Sequence, residues 1–134
     1  MSPQTDQTCT HEQEFMARAL THEADAIARV AERVDEGFVK AVDLIVGCAE
    51  QGGTVLVSGL GKSGHIGAKI SATLASLGIP SHAVHPTEAA HGDLGRFRKQ
   101  DVVICLSHSG ETEELVNLAA ILRQDNLPII AITR

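Results

Sequence analysis

The sequence has no tryptophan, no tyrosine and only three phenylalanines among its 134 residues. A core without aromatic bulk has to be aliphatic, as in parallel sheets covered by helices. The same shortage removes the aromatic platforms on which nucleic-acid bases stack. Basic residues are short as well: eleven Lys and Arg against seventeen Asp and Glu leave a net charge of −6. That balance opposes binding to a phosphate backbone, so nucleic acid is not an expected partner. Long apolar runs are missing. The longest reach about five residues, as in VVICL, against ~20 for a membrane-spanning helix. The start, MSPQTDQTCTHEQ, has neither the charged end nor the apolar stretch of a signal peptide. Three cysteines, Cys9, Cys48 and Cys105, form no CxxC pair and are odd in number, the usage of a reducing compartment. A cytoplasmic protein with no membrane partner is expected.

What is present fits one globular domain. Apolar residues make up 43% of the chain, and its length allows a real core. Residues 1 to about 11 are polar and read as frayed. From 12 to 51 the pattern is helical: Leu20, Ile27 and Val34 recur every seven residues, with Ala24, Ala31 and Phe38 between them. Gly37 marks a break into two helices. Forty residues of helix exceed what one strand needs as a lid, and the stripe packs either within the chain or on another subunit. Gln51-Gly52-Gly53 is a helix stop.

Strands and helices then alternate. Strands are expected at 54–58, 81–84, 101–106 and 128–133, and helices at 64–77 and 111–123. Gly78 with Pro80, and Asn126 with Pro128, end the two helices. Near-continuous apolar strands joined by helices imply right-handed βαβ units. The fold class is therefore α/β, a three-layer α/β/α flavodoxin-like parallel sheet with an N-terminal helical extension. The chain stops at Arg134, directly after the fourth strand, and is read as truncated relative to a complete domain.

Two turns carry the chemistry. The first strand runs into Ser58-Gly59-Leu60-Gly61-Lys62-Ser63-Gly64, a small-residue turn opening a helix. Backbone N–H groups at a helix start are a ready phosphate site. Gly59, Gly61 and Gly64 match the dinucleotide pattern GxGxxG, but the second strand ends in Val84-His85-Pro86, without the acid that would hold a ribose. NAD is disfavoured. A P-loop would need glycine five residues before Gly61, where Leu56 stands. The second turn, Ser107-His108-Ser109-Gly110-Glu111-Thr112, offers three hydroxyls before another helix. Alone it reads as an ordinary cap. In a flavodoxin-like strand order the two turns face each other across the switch-point crevice. A pair of phosphate-friendly turns suits a monophosphate with a polyol body. Between them, His85, Glu88, His91 and Asp93 follow no standard zinc spacing, so no metal and no other cofactor is expected.

Together SGLGKSGHIG, HPTEAAHGDLG and SHSGETEE, at these separations, resemble the sugar isomerase (SIS) domain, and more narrowly the arabinose-5-phosphate isomerases of the 3-deoxy-manno-octulosonate pathway. The resemblance covers residues 15–134. It implies interconversion of D-arabinose 5-phosphate and D-ribulose 5-phosphate through a cis-enediol, feeding lipopolysaccharide or capsule synthesis. It also implies a homo-oligomer, a tetramer, and a small sugar phosphate as the ligand. By motif, Ser107, Ser109 and Thr112 hold the phosphate, while Ser58, Gly61, Lys62 and Ser63 line the opposite wall. Lys62, His91 and Glu114 match catalytic positions. Glu114 is the expected base, turned inward on the face it shares with Glu111 and Leu118. Lys62 is the expected electrophile or phosphate partner, and His91 is a candidate for ring opening. His108, inside the phosphate turn, is a further candidate to touch substrate. The family's CBS modules and the end of its SIS domain, with a further catalytic Glu and His, are absent from this chain. A non-catalytic phosphosugar-binding module is therefore the alternative.

Overall fold

The computed structural model describes residues 3–90 and 92–134. The chain divides into two compact units, Met1–Phe38 and Val39–Arg134. The first holds α1 (Pro3–Ala31) and the beginning of α2 (Glu36–Glu50). The helix expected from residue 12 thus starts nine residues earlier, at Pro3, where the missing N–H of proline is no loss in a first turn. The break between the helices falls at residues 32–35 rather than at Gly37. Asp35 explains it. Its Oδ1 accepts the N–H of Gly37 at 2.8 Å, making Asp35 the cap and placing Gly37 inside the first turn of α2.

The second unit is built on a four-stranded parallel sheet in the order β2-β1-β3-β4, from β1 (Val55–Gly59), β2 (Ser81–Val84), β3 (Val102–Leu106) and β4 (Ile129–Ile132). This is the flavodoxin-like order read from the alternation. Helix α3 (Lys62–Ser76) crosses from β1 to β2, and α5 (Glu113–Gln124) from β3 to β4. After β2 come the short α4 (Pro86–Ala90) and a single 3-10 turn, Asp93–Arg96, which have no counterpart in the alternation.

Burial confirms the three layers. Val55, Val57, Val102, Ile104 and Leu106 face Cys48 and Ile45 of α2 and Ile70 and Leu74 of α3. Leu56, Val103 and Cys105, the alternate positions, face Ala89 of α4 and Leu115, Leu118 and Leu122 of α5. β1 and β3 are buried throughout, as central strands covered on both faces must be. Helices α2, α3 and α5 return to the sheet through the same device. Gly52, Gly78 and Asn126 adopt positive φ, and the next N–H reaches back five residues: Gly53 to Cys48, Ile79 to Leu74, Leu127 to Leu122. This Schellman arrangement satisfies the last carbonyls and delivers the chain directly into the following strand. Among the described residues, no helix is long and apolar enough to cross a membrane.

Candidate functional site

Both loops at the carboxyl ends of β1 and β3 open into helix N-termini, and these strands are neighbours, with Gly59 opposite Leu106. The first turn is made of backbone. Gly61, the residue before α3, has φ 56 and ψ −125, a region closed to side-chain-bearing residues at ordinary cost. No side chain caps α3. Lys62 is its first residue and is exposed; Ser63 is half-buried. A methyl group on Gly59 would stand 2.9 Å from the Ser63 carbonyl carbon, so the strand end and the helix start touch backbone to backbone. That leaves the first amides of α3 bare, with +0.5 of helix-dipole charge, roughly, behind them.

The second turn is made of hydroxyls. Ser107 Oγ and Thr112 Oγ1 lie 3.0 Å apart. Ser107 Oγ also accepts the N–H of Gly110 at 3.0 Å, and Ser109 Oγ accepts the N–H of Glu111 at 3.1 Å. Thr112 precedes α5 but does not cap it with its side chain, because that hydroxyl is turned to Ser107. The turn is fastened to the sheet by the N–H of Ser107 on Ile132 O, 3.1 Å. The result is a rigid cup of hydroxyls beside an uncapped helix start, suited to the oxygens of a phosphate.

Other sequence candidates sit differently. Ser58 is fully buried, and its Oγ is the buried side-chain oxygen without a hydrogen-bond partner among the described residues. β1 runs one residue further than expected and pairs Ser58 with both Val84 and Cys105. The side chain therefore lies with Leu56 on the α5 side of the sheet, and the open wall begins at Gly59. Glu114 is exposed rather than turned inward, because Leu115, Leu118 and Leu122 take the inner stripe of α5. Glu111 precedes the helix altogether, and His108 is exposed. His91 lies outside the described residues. Among the described residues, no three His, Cys, Asp or Glu side chains converge as metal ligands would.

One feature escaped the sequence. A cavity of about 440 Å³ opens on the other side of the first turn, between the start of α3 and the end of β2. Its lining includes Gly59, Gly61, His65, Val84, His85 and Glu88. The signal was available in part: His65 stands one helical turn after Lys62.

Comparison with known proteins decides the family. The SIS domain model matches residues 49–134. This chain belongs to the SIS domain family. Among curated relatives, arabinose 5-phosphate isomerase KdsD of Pseudomonas aeruginosa is 46% identical over 116 residues, covering 87% of this chain and 35% of the relative. Arabinose 5-phosphate isomerase GutQ of Salmonella typhimurium is 44% identical over 116 residues, with the same coverages of 87% and 35%. The SIS chain thus spans about a third of the length of these relatives. Among solved structures, E. coli CFT073 c3406 in complex with arabinose 5-phosphate superposes with a TM-score of 0.85 at 38% identity, over 93% of this chain and 65% of that one.

Proposed function

We infer that this SIS chain binds the phosphate of a pentose 5-phosphate and contributes to the interconversion of D-arabinose 5-phosphate and D-ribulose 5-phosphate. The observation that carries the reading is the pair of uncapped helix starts on neighbouring strands, one walled by Ser107, Ser109 and Thr112 and the other by glycine backbone. The arabinose 5-phosphate complex of a structural neighbour on the same fold supports the ligand class.

In this reading the phosphate sits in the hydroxyl cup, with Gly61 and Ser63 opposite. His91 transfers the proton that opens the sugar ring. Glu114 removes the proton from C2 of the open aldose and returns it to C1, while one proton moves from O2 to O1 as the carbonyl passes from C1 to C2, so the net protonation is unchanged. The Lys62 ammonium stabilises the enediolate oxygen between the two transfers. Ser58, buried behind the wall, takes no direct part. Copies of the chain assemble through the apolar stripe of α1, on which Met16, Leu20 and Ile27 are exposed and which an isolated helix would not keep in water.

A second reading, a sugar-phosphate-binding module without turnover, is favoured by one observation. Glu114 and Lys62 are both exposed on this chain, whereas proton abstraction from carbon gains from a dry site. Incubation with D-ribulose 5-phosphate and assay for D-arabinose 5-phosphate separates the two. Turnover supports the isomerase. Binding without turnover leaves the module, and absence of binding removes both.

A further inference from the structure

The 440 Å³ cavity beside the first turn brings together three ionisable side chains from three separate elements. His65 comes from α3, His85 from the end of β2 and Glu88 from α4. All three are exposed to solvent at its rim and none belongs to the core. We propose that this cavity seats the hydroxyl-bearing chain of the sugar, and that His65, His85 and Glu88 select it. The inference rests on the phosphosugar reading and adds the part of the site that recognises what lies beyond the phosphate.

The chemistry of the lining picks out the ligand. Imidazole nitrogens donate and accept, and a carboxylate accepts, which matches vicinal hydroxyls that each do both. The floor is Gly59, Gly61 and Gly64, so backbone can approach the carbon chain closely. The cavity lining holds no Phe, Tyr or Trp, so its polar groups and not a broad aromatic face set what it takes. The volume falls in the range of small-molecule sites, roughly 300–1,000 Å³, and exceeds what a phosphate alone would fill. The cavity and the hydroxyl cup are separated only by the end of β1 and its turn, since β1 lies between β2 and β3. A phosphate in the cup and a short polyol lying over that turn would point the hydroxyls into the cavity and leave C1 and C2 between Lys62 and Glu114.

The test compares two ligands by titration calorimetry on the whole chain: D-arabinose 5-phosphate and inorganic phosphate. Single variants His65→Ala, His85→Ala and Glu88→Gln replace exposed groups, and thermal unfolding verifies that each still folds. Each is expected to weaken sugar-phosphate binding about tenfold, one to two hydrogen bonds' worth, with inorganic phosphate binding within about twofold of the unaltered chain. His85→Asn, which keeps one donor and one acceptor, is expected to recover part of the loss. The inference is overturned if sugar phosphate and inorganic phosphate weaken together, or if neither changes while the unaltered chain still prefers the sugar phosphate. If the unaltered chain gains nothing from the sugar over inorganic phosphate, the phosphosugar reading itself fails and takes the inference with it.

Discussion

A methyl group placed on Gly64 would stand 2.8 Å from the carbonyl oxygen of Gly59. The end of β1 and the first turn of α3 are therefore in backbone contact, and the position of the helix start is set by the absence of a side chain. Gly64→Ala is expected to push α3 outward and cost roughly 1–3 kcal/mol, the usual penalty of overpacking, measured by urea unfolding. The same variant should weaken sugar-phosphate binding, because the bare amides move with the helix. Gly61→Ala is a useful contrast. No atom lies within 4 Å of its added methyl, so its cost comes from backbone strain at φ 56 alone, about 1–3 kcal/mol.

Asp101 holds the opposite end of the sheet. Its buried carboxylate accepts the N–H of Thr54 at 2.8 Å and that of Arg98 at 2.7 Å, tying the approach to β1 to the approach to β3. Asp101→Ala leaves two backbone donors without their partner. A loss of about 2–4 kcal/mol is expected in chemical denaturation. Activity per folded molecule should be unaffected, since the clamp lies at the amino ends of the strands.

The layers were legible because the signals that specify them are local. Apolar runs marked β1 and β3, and Gly52, Gly78 and Asn126 marked where the chain leaves a helix for a strand. The two small-residue turns that follow β1 and β3 were legible for the same reason. What was not legible depends on where one element ends against another. Ser58 reads both as the last strand residue and as the first of the turn, and its ladder partners Val84 and Cys105 on either side bury it. Glu114 reads as inward from its four-residue spacing to Leu118, but the packed stripe is centred on Leu115, Leu118 and Leu122, which leaves Glu114 at its edge and exposed. The cavity at His65, His85 and Glu88 joins residues from three elements, which no spacing rule connects.

Burial pushes the Cys105 thiol up from the ordinary 9.0 to about 11. Below pH 9 the thiol is protonated in both folded and unfolded chains and stability does not depend on it. Between pH 9 and about 11 the unfolded chain ionises while the folded one does not, so stability falls as pH rises. Two pH units correspond to roughly 2–3 kcal/mol. Urea unfolding at pH 8 and at pH 11 should show the drop, and Cys105→Ala should show it diminished by that amount. The chain has no tyrosine, and the paired comparison isolates Cys105 from any other group.

The apolar stripe of α1 supplies a prediction about assembly. Leu20 is 68% and Ile27 71% exposed, and they are two helical turns apart on one face. In self-association through this stripe, the double variant Leu20→Glu with Ile27→Glu places charges in the contact. Light scattering after size exclusion is expected to show the unaltered chain as an oligomer and the variant at the 14.2 kDa of one chain. An unaltered chain that already runs at that mass would exclude the assembly.

Glu113 and Glu114 offer an internal control for catalysis. Both are exposed residues in the first turn of α5, and both complement the helix dipole equally well. Only Glu114 is assigned the proton transfer between C1 and C2. Glu114→Gln preserves shape and removes the base, so kcat is expected to fall by about 10²–10⁴ with little change in KM. Glu113→Gln should leave both parameters within about twofold. Because neither side chain is packed, the unfolding midpoints of the two variants should agree. If instead both variants lose activity slightly and equally, the pair serves only to neutralise the helix start, and the base lies elsewhere. Lys62→Met refines the assignment: as the partner of the enediolate, the ammonium contributes chiefly in the transition state, so kcat should suffer more than affinity for D-arabinose 5-phosphate.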